Sequence, residues 1–326
     1  MSFYMGVDGG ASKTEVVLAQ DGQILKVVRG GPSNPQGPMG LEGAMDQLAQ
    51  CLRDAIQGYD ATHLRPAVLG LAGADFPEDI EAMSQQLARL VPWLRYAIVN
   101  DTEIALLGGS RTGYGIVGIC GTSTNVLGIH PSGRRCQIGG LGYEFGDFGG
   151  GADLAREVLH AAFRSHEGRG PKTLLESGVL ERMGQKSYEG LKRAMYFHTI
   201  HPLAFLALVP LCFEASLKGD AVSSRLLERM AESLAQTVIA TANQLHWEDG
   251  AFEVILAGSL WEGVSPVLQD HFRRLVRQVY PQCDIHLPEL APVMGALLKA
   301  VEDDDQASST QWRRKLREHK DQAQGV

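Results

Sequence analysis

Gly6-Val7-Asp8-Gly9-Gly10-Ala11-Ser12-Lys13-Thr14 opens the chain, and a comparable run opens its second part: Gly115-Ile116-Val117-Gly118-Ile119-Cys120, then Gly121-Thr122-Ser123-Thr124. Each is a short apolar segment running into a polar glycine turn. After the first come Glu15–Ala19, a turn at Asp21-Gly22 and Ile24–Val28, which read as a β-hairpin. After the second come Val126–Ile129, a turn at Ser132-Gly133 and another short strand. Gly10 matches Gly121, Ser12 matches Ser123 and Gly22 matches Gly133 at one offset of 111. Strand, glycine loop, strand, turn, strand therefore occurs twice, and duplication is the better reading of that order.

Outward from the first run, a Pro/Gly/Asn-rich loop spans 30–40. Leu41, Ala44, Leu48, Leu52 and Ile56 then recur at helical spacing, predicting a helix over 41–57. Strands are expected at 66–72 and 95–99 around a helix at 77–91. An antiparallel opening followed by strand–helix alternation makes this an α/β domain with a mixed sheet. Beyond the second run, helices are expected at 151–165, 172–183, 187–196, 202–217 and 221–246. A strand at 252–256, a helix near 264–279, a strand near 283–287 and a helix at 291–301 complete the body. The expected division is residues 1–112 and 113–290, with 291–302 packing back on the first part. The polar tail 303–326 reads as a solvated or frayed helix.

At 326 residues the chain is long enough for two packed domains, and 44% hydrophobic with 21% charged residues is an ordinary globular balance. A net charge of −8 argues against nucleic acid or an anionic membrane as partner. No run of about 18 apolar residues exists, and the opening residues lack a signal core. The five cysteines, Cys51, Cys120, Cys136, Cys212 and Cys283, have no C-x-x-C spacing. A reducing, cytoplasmic setting without a Cys-built metal centre is the expectation.

The 6–14 run is neither G-x-G-x-x-G into a helix nor GxxxxGK[ST]. Glycine lets consecutive N–H groups converge on an anion, and Ser12, Lys13 and Thr14 add hydroxyl and ammonium donors. Asp8 at the strand end suits a hydrated Mg²⁺. Alone, this run is equally a plain hairpin turn with a surface lysine. Two such hairpins, if opposed, clasp a polyphosphate from both sides. Gly258-Ser259, at a strand end before a helix, offers backbone for an adenine or ribose, or is a simple strand–helix turn. Asp101 in Val99-Asn100-Asp101-Thr102 reads either as a helix N-cap or as a general base for a substrate hydroxyl attacking a γ-phosphate.

The ordered set DGGASKTE, PSNP, LGLAGAD, VNDTEIAL, GICGTSTN, GGLGYEFGD, LAGSL and APVMGALL, over about residues 5–300, resembles the BadF/BadG/BcrA/BcrD-type ATPase family. Within that family it is most similar to the N-acetylglucosamine and glucosamine kinases. The resemblance implies two ribonuclease-H-like domains of the actin-like ATPase superfamily, with mixed sheets flanked by helices and a helical insertion in the second. ATP, Mg²⁺ and a small amino sugar are implied in the cleft between them. On it, Asp8, Gly9, Gly10, Ser12, Lys13 and Thr14 carry the first phosphate motif, with Asp8 on the metal. Gly121, Thr122 and Ser123 carry the second, and Gly258 and Ser259 the adenosine motif. Asp101 falls on the catalytic base. Asn34, Gly73, Gly140, Gly142 and Asp147 fall where such kinases contact or wall the sugar.

One departure stands out: Phe148 follows Asp147 where relatives commonly carry Glu, and the neighbouring carboxylate is Glu144. The departure bears on which sugar is bound. His198 and His201, three apart on an expected helix, lack a third ligand for a metal. Cys120 reads as a strand-end core residue. The 203–245 stretch reads as the core of a helical subdomain that leaves surface for a homodimer. Rival readings are an ATPase activating a dehydratase through an iron–sulfur cluster, for which the cysteines offer no arrangement, and a non-catalytic sugar- or nucleotide-binding regulator.

Overall fold

The computed structural model describes residues 2–247 and 250–324. The chain forms two units. Unit 1 runs to Gly115 and resumes at Leu287; unit 2 is Ile116–His286. In chain order, unit 1 begins with β1 (Tyr4–Gly9), β2 (Thr14–Gln20), β3 (Gln23–Gly30), α1 (Gly40–Ile56), β4 (Ala67–Leu71), α2 (Pro77–Leu90), β5 (Tyr96–Asn100) and α3 (Asp101–Gly109). Unit 2 carries β6 (Gly115–Cys120), β7 (Thr124–Ile129), β8 (Arg135–Gly139), α4 (Gly151–His166), α5 (Leu175–Arg182), α6 (Tyr188–Tyr196), α7 (Leu208–Leu217) and α8 (Ala221–Gln244). It closes with β9 (Glu253–Ala257), α9 (Val267–Val279) and β10 (Asp284–His286), after which unit 1 resumes as α10 (Pro292–Asp304) and α11 (Gln306–Gln324).

The sheet of unit 1 has the order β3-β2-β1-β4-β5, and that of unit 2 reads β8-β7-β6-β9-β10 in the same direction. Strand for strand the two orders are identical, as the repeated glycine loops lead one to expect. In unit 1 the first three strands form an antiparallel meander, while β1, β4 and β5 run parallel. In unit 2, β7 and β8 are antiparallel and β6, β9 and β10 parallel. The single helix α1 between β3 and β4 corresponds to the whole run α4–α8 between β8 and β9, so the helical insertion lies where the resemblance puts it.

Apolar residues on both faces of β2 explain why helices cover both sides of the first sheet. Val16 and Leu18 pack with Met45, Leu48 and Leu52 of α1, whereas Val17 and Ala19 pack with Leu297 and Val301 of α10. The core of unit 2 joins Leu227, Met230, Leu234 and Val238 of α8 to Phe272 of α9 and to Trp261, whose indole Nε1 donates to the Gly118 carbonyl at 3.0 Å. The tail is not merely solvated. Trp312 of α11 lies edge-on to Tyr4 with ring centroids 5.1 Å apart, and Arg313 Nη1 donates to the Leu107 and Ser110 carbonyls, each at 2.7 Å. Only Trp312 and Leu316 among many charges betray that buried face.

Helix α10 approaches α3 through glycines. A Cβ built on Gly295 would fall 1.9 Å from the Ile104 carbonyl oxygen, and one on Gly108 would fall 2.7 Å from that of Ala291. Backbone cannot step aside, so a side chain here separates the helices. Gly295→Val is expected to lower stability by about 3 kcal/mol. Gly133→Ala, in a positive-φ turn with open space around it, is expected to cost roughly 1 kcal/mol. Urea unfolding of both variants checks the contrast; equal midpoints would refute the close-approach argument.

Candidate active site

The parallel strands of unit 1 align so that Asp8 of β1 sits beside Gly70 of β4, and Gly70 beside Val99 of β5. One row further, at the carboxyl ends where open parallel sheets bind ligands, the chain turns out of the sheet in three places. The first turn is the loop 10–13, closed by the Gly10 N–H donating to the Lys13 carbonyl at 2.9 Å. The second is Ala72–Asp75, and the third is Asn100-Asp101, where α3 begins. Asp8, Asp75 and Asp101 are thereby brought to one end of one sheet.

Their electrostatics follow from that crowding. Burial pushes the Asp101 carboxyl up to about 7, with the charges of Asp8 and then Asp75 adding to it. Burial also pushes Asp8 up to about 6, against the opposing pull of the Lys13 ammonium. Asp75 is raised by burial as well, partly offset by a hydrogen bond from Asn100. Asp101 is thus a carboxylate poised near neutral pH, the condition for an efficient general base.

The first loop is braced from behind. The Gly9 carbonyl accepts from Ala72 N at 2.8 Å and the Gly10 carbonyl from Ser33 N at 3.1 Å. The C=O and the following N–H of a trans peptide point opposite ways, so bracing the Gly10 carbonyl turns the Ala11 amide outward, while the Gly10 amide closes the loop onto the Lys13 carbonyl. Ser12 and Lys13 are exposed beside them. Thr14 is not available as a phosphate donor. It is fully buried, its hydroxyl donates to the Gly31 carbonyl at 2.8 Å, and it shares a 2.8 Å hydrogen bond with the Ser33 hydroxyl. Its place is to tie the loop to 31–33. Asn34 lies against the second turn: a Cβ on Gly73 would meet Asn34 Oδ1 at 2.8 Å, and that oxygen accepts from Gln36 N at 2.9 Å.

Unit 2 repeats the bracing device. The α4 amides of Gly151 and Ala152 donate to the Gly121 and Thr122 carbonyls at 2.8 and 3.0 Å, so the Thr122 and Ser123 amides turn away from the helix. Gly258 follows β9 with φ +101, and a Cβ there would fall 2.4 Å from the Cys120 carbonyl oxygen. Glycine alone allows both that torsion and that approach. The Gly121–Ser123 loop and the Gly258-Ser259 turn are therefore adjacent within this unit, with Gly258 and Ser259 exposed.

The loop 139–150 departs from expectation at Asp147. Its Oδ2 accepts from Leu141 N at 2.9 Å and Gly142 N at 2.7 Å. Through Oδ2 this carboxylate braces the glycine-rich loop that carries it. The Asn125 amide abuts Gly140, and the Gly142 backbone is held by Asp147. Phe148 packs against the unit 2 core under the Arg229 guanidinium, 4.6 Å from the ring centroid, and Glu144 is exposed. His198 and His201 do not share a helix face. His198 has φ 53 beyond the end of α6, and His201 Nδ1 accepts from Leu203 N. Among the described residues no three of His, Cys, Asp and Glu converge to hold a metal unaided, and no helix is long and apolar enough to cross a membrane. Cys51, Cys120, Cys212 and Cys283 are buried free thiols.

Sequence reading passed over Ser33, Asp75 and Asn100. Asp75 stands at the end of the LGLAGAD run, and its place after a buried strand was the available signal.

Comparison with known proteins agrees with this arrangement. A curated relative from Clostridium acetobutylicum, an N-acetylmuramic acid/N-acetylglucosamine kinase, is 30% identical over 94% of this chain and 100% of its own length. An N-acetyl-D-glucosamine kinase of Dictyostelium discoideum is 26% identical over 91% of this chain and 97% of its own. The crystal structure of a protein provisionally designated an N-acetylglucosamine kinase, from Chromobacterium violaceum, superposes with a TM-score of 0.72 at 25% identity, covering 92% of this chain and 99% of that one. Residues 5–300 match a single family, and the chain belongs to it: the BadF/BadG/BcrA/BcrD ATPase family.

Proposed function

We propose that this chain is an ATP-dependent amino-sugar kinase that phosphorylates a hydroxyl of N-acetylglucosamine or a related hexosamine, with Asp101 as general base. The observation that carries the reading is the desolvated Asp101 carboxyl, raised to about 7 and held beside Asp8 at the carboxyl ends of parallel strands. The amino-sugar class follows from the relatives, which span this chain almost from end to end.

In this reading Asp101 accepts the proton of the attacking hydroxyl as its oxygen bonds to the γ-phosphorus. The bond from that phosphorus to the β–γ bridging oxygen breaks, and ADP leaves. Asp8, a carboxylate short of positive charge, would hold Mg²⁺ through water, and the cation would neutralise charge on the phosphates. Lys13, Ser12 and the amide of Ala11 in the loop opened by Gly9-Gly10, with the amides of Thr122 and Ser123 in the loop opened by Gly121, serve the phosphates. Gly258 and Ser259 serve the adenosine. Asn34, Gly73, Gly140 and Gly142 border the sugar, with Asp147 acting through the loop it braces. A cytoplasmic setting goes with these substrates. The cysteines, four buried and Cys136 partly exposed, give the dehydratase-activator reading no support.

A coupled ADP-release screen over N-acetylglucosamine, N-acetylmuramic acid, N-acetylmannosamine, glucosamine and glucose tests the reading. Turnover is expected with an N-acetylated hexosamine, and no sugar-stimulated ADP release from any of them would overturn it. Asp101→Asn is expected to lower kcat at least ~10²-fold with little change in ATP binding. Near-normal turnover would remove Asp101 from the base role.

The same carboxyls predict a pH-dependent stability. Asp8 and Asp101 have folded-state values of about 6 and about 7, above an ordinary 3.8. Their stabilising contribution is therefore complete below pH 3.8 and lost as pH rises to about 7. Asp101→Asn removes part of that loss. Its ligand-free Tm at pH 8 is expected to exceed the wild type by roughly 2–4 °C or more, with the gap clearly narrower at pH 5. Calorimetry at the two pH values checks this, and a variant less stable than wild type at pH 8 contradicts it.

A further inference from the structure

We propose that Asp75 is a positioning residue for the transfer reaction, acting through Asn100 to fix the turn that presents Asp101. The inference rests on the kinase reading above and deepens it. Asn100 ends β5 and immediately precedes Asp101, so its placement sets the direction in which α3 starts and where the Asp101 carboxyl lies.

Every hydrogen-bonding position of the Asn100 amide is engaged. Its Nδ2 donates to Asp75 Oδ1 at 2.9 Å and to the Ala74 carbonyl at 3.2 Å. Its Oδ1 accepts from Thr102 N at 3.0 Å and from the Thr102 hydroxyl. An amide offers two donors and two acceptor sites, and all four are used. Two bonds cap the helix that carries Asp101. The other two anchor that cap to the turn after β4, twenty-five residues earlier, where Asp75 lies. Of those two anchors, only the one to Asp75 has a charged acceptor, the stronger kind. Thr102 is fully buried, so the capped end of the turn cannot drift, and Asp75 closes the other end.

The cap alone does not require Asp75. A serine at 100 caps Thr102 equally well. The carboxylate at 75 instead adds negative charge where Asp8 and Asp101 already repel each other. A residue that raises the local charge and is tied to the one side chain preceding the base is placed for the reaction more than for stability.

Four variants test this with N-acetylglucosamine and ATP, following kcat, both KM values and thermal melts. Asp75→Ala is expected to lower kcat by about 10–10²-fold, the size of a small misplacement of a reacting group, with KM for ATP within about twofold. Asp75→Asn, whose Oδ1 still accepts from Asn100, is expected to restore most of that loss. Asn100→Ser, which keeps the helix cap but breaks the tie to Asp75, is expected to match Asp75→Ala and provides the test if that variant folds poorly. The double variant Asp75→Ala/Asp101→Asn is expected to be no slower than Asp101→Asn alone, because positioning acts only through the base. Normal kcat in both Asp75→Ala and Asn100→Ser, no rescue by Asp75→Asn, or a further loss in the double variant overturns the proposal while leaving the kinase reading intact. An unimpaired Asp101→Asn single variant overturns the base assignment itself, and the positioning role with it.

Discussion

The first unit confines three partly buried carboxyl groups at one end of one sheet, where Lys13 is the one cation that opposes their charge among the described neighbours. Left to itself such a group would protonate or move apart. The backbone holds the groups in place, so the crowding shows as protonation at higher pH, with Asp8 raised to about 6 and Asp101 to about 7. Asp8 is inside the pairing of β1 with β2 and β4, and Asp101 opens α3 from a saturated cap. Asp75 is held by the same amide that holds the cap. The repulsion is held in the position of the strands, and on the proposed reading a cation and a substrate hydroxyl would relieve it. A site that is uncomfortable when empty and satisfied when filled is the expected form of a phosphoryl-transfer centre, where binding and charge compensation do most of the chemistry.

That confinement depends on helices on both faces of the sheet. Helix α3 can start at Asp101 in the required direction only if its far side packs against α10, and the two backbones meet with no side chain between them at Gly108 and Gly295. Gly6 of β1 completes the arrangement, since a Cβ there would fall 2.4 Å from Leu297 N of α10. The strand that bears Asp8 and the helix that bears Asp101 are thus both set against one later helix. A segment far downstream in the chain closes the unit and determines how near those two carboxylates come.

Much of this was legible in the sequence because it is repeated or periodic. One offset linking Gly10, Ser12 and Gly22 to Gly121, Ser123 and Gly133 anticipated two sheets of the same strand order. The spacing from Leu41 to Ile56 marked α1 almost to its ends. The misread residues share one property: a polar side chain in a glycine-rich loop looks ligand-facing, and only tertiary structure tells whether it is. Thr14 is satisfied by Ser33 and Gly31, and Asp147 by two amides of its own loop. Neither partnership has a sequence signature. Asp75 went unassigned for the converse reason, since its partner Asn100 belongs to the next strand and only the parallel pairing of β4 with β5 makes them neighbours. His198 and His201 showed helical spacing without a helix.

The duplication also explains why the two glycine loops are built alike and yet do different things. In each, neighbouring amides bind the loop carbonyls and so turn a following N–H outward, at Ala11 in one loop and at Thr122 and Ser123 in the other, a device that needs no particular side chain. The loops differ in the source of those amides. In unit 1 they come from Ser33 and Ala72, segments that also carry Asn34 and lead to Asp75, so the brace of the first loop is continuous with the proposed acceptor site. In unit 2 they come from the first turn of α4, whose positive dipole end adds to the attraction for an anion. Beside it lie Gly258 and Ser259 and no carboxylate cluster. The same architecture therefore carries crowded carboxyl groups beside the glycine loop in one copy and a helix N-terminus behind it in the other. The two copies diverge after the third strand, which leads into a loop and one helix in unit 1 and into a glycine-rich loop and five helices in unit 2.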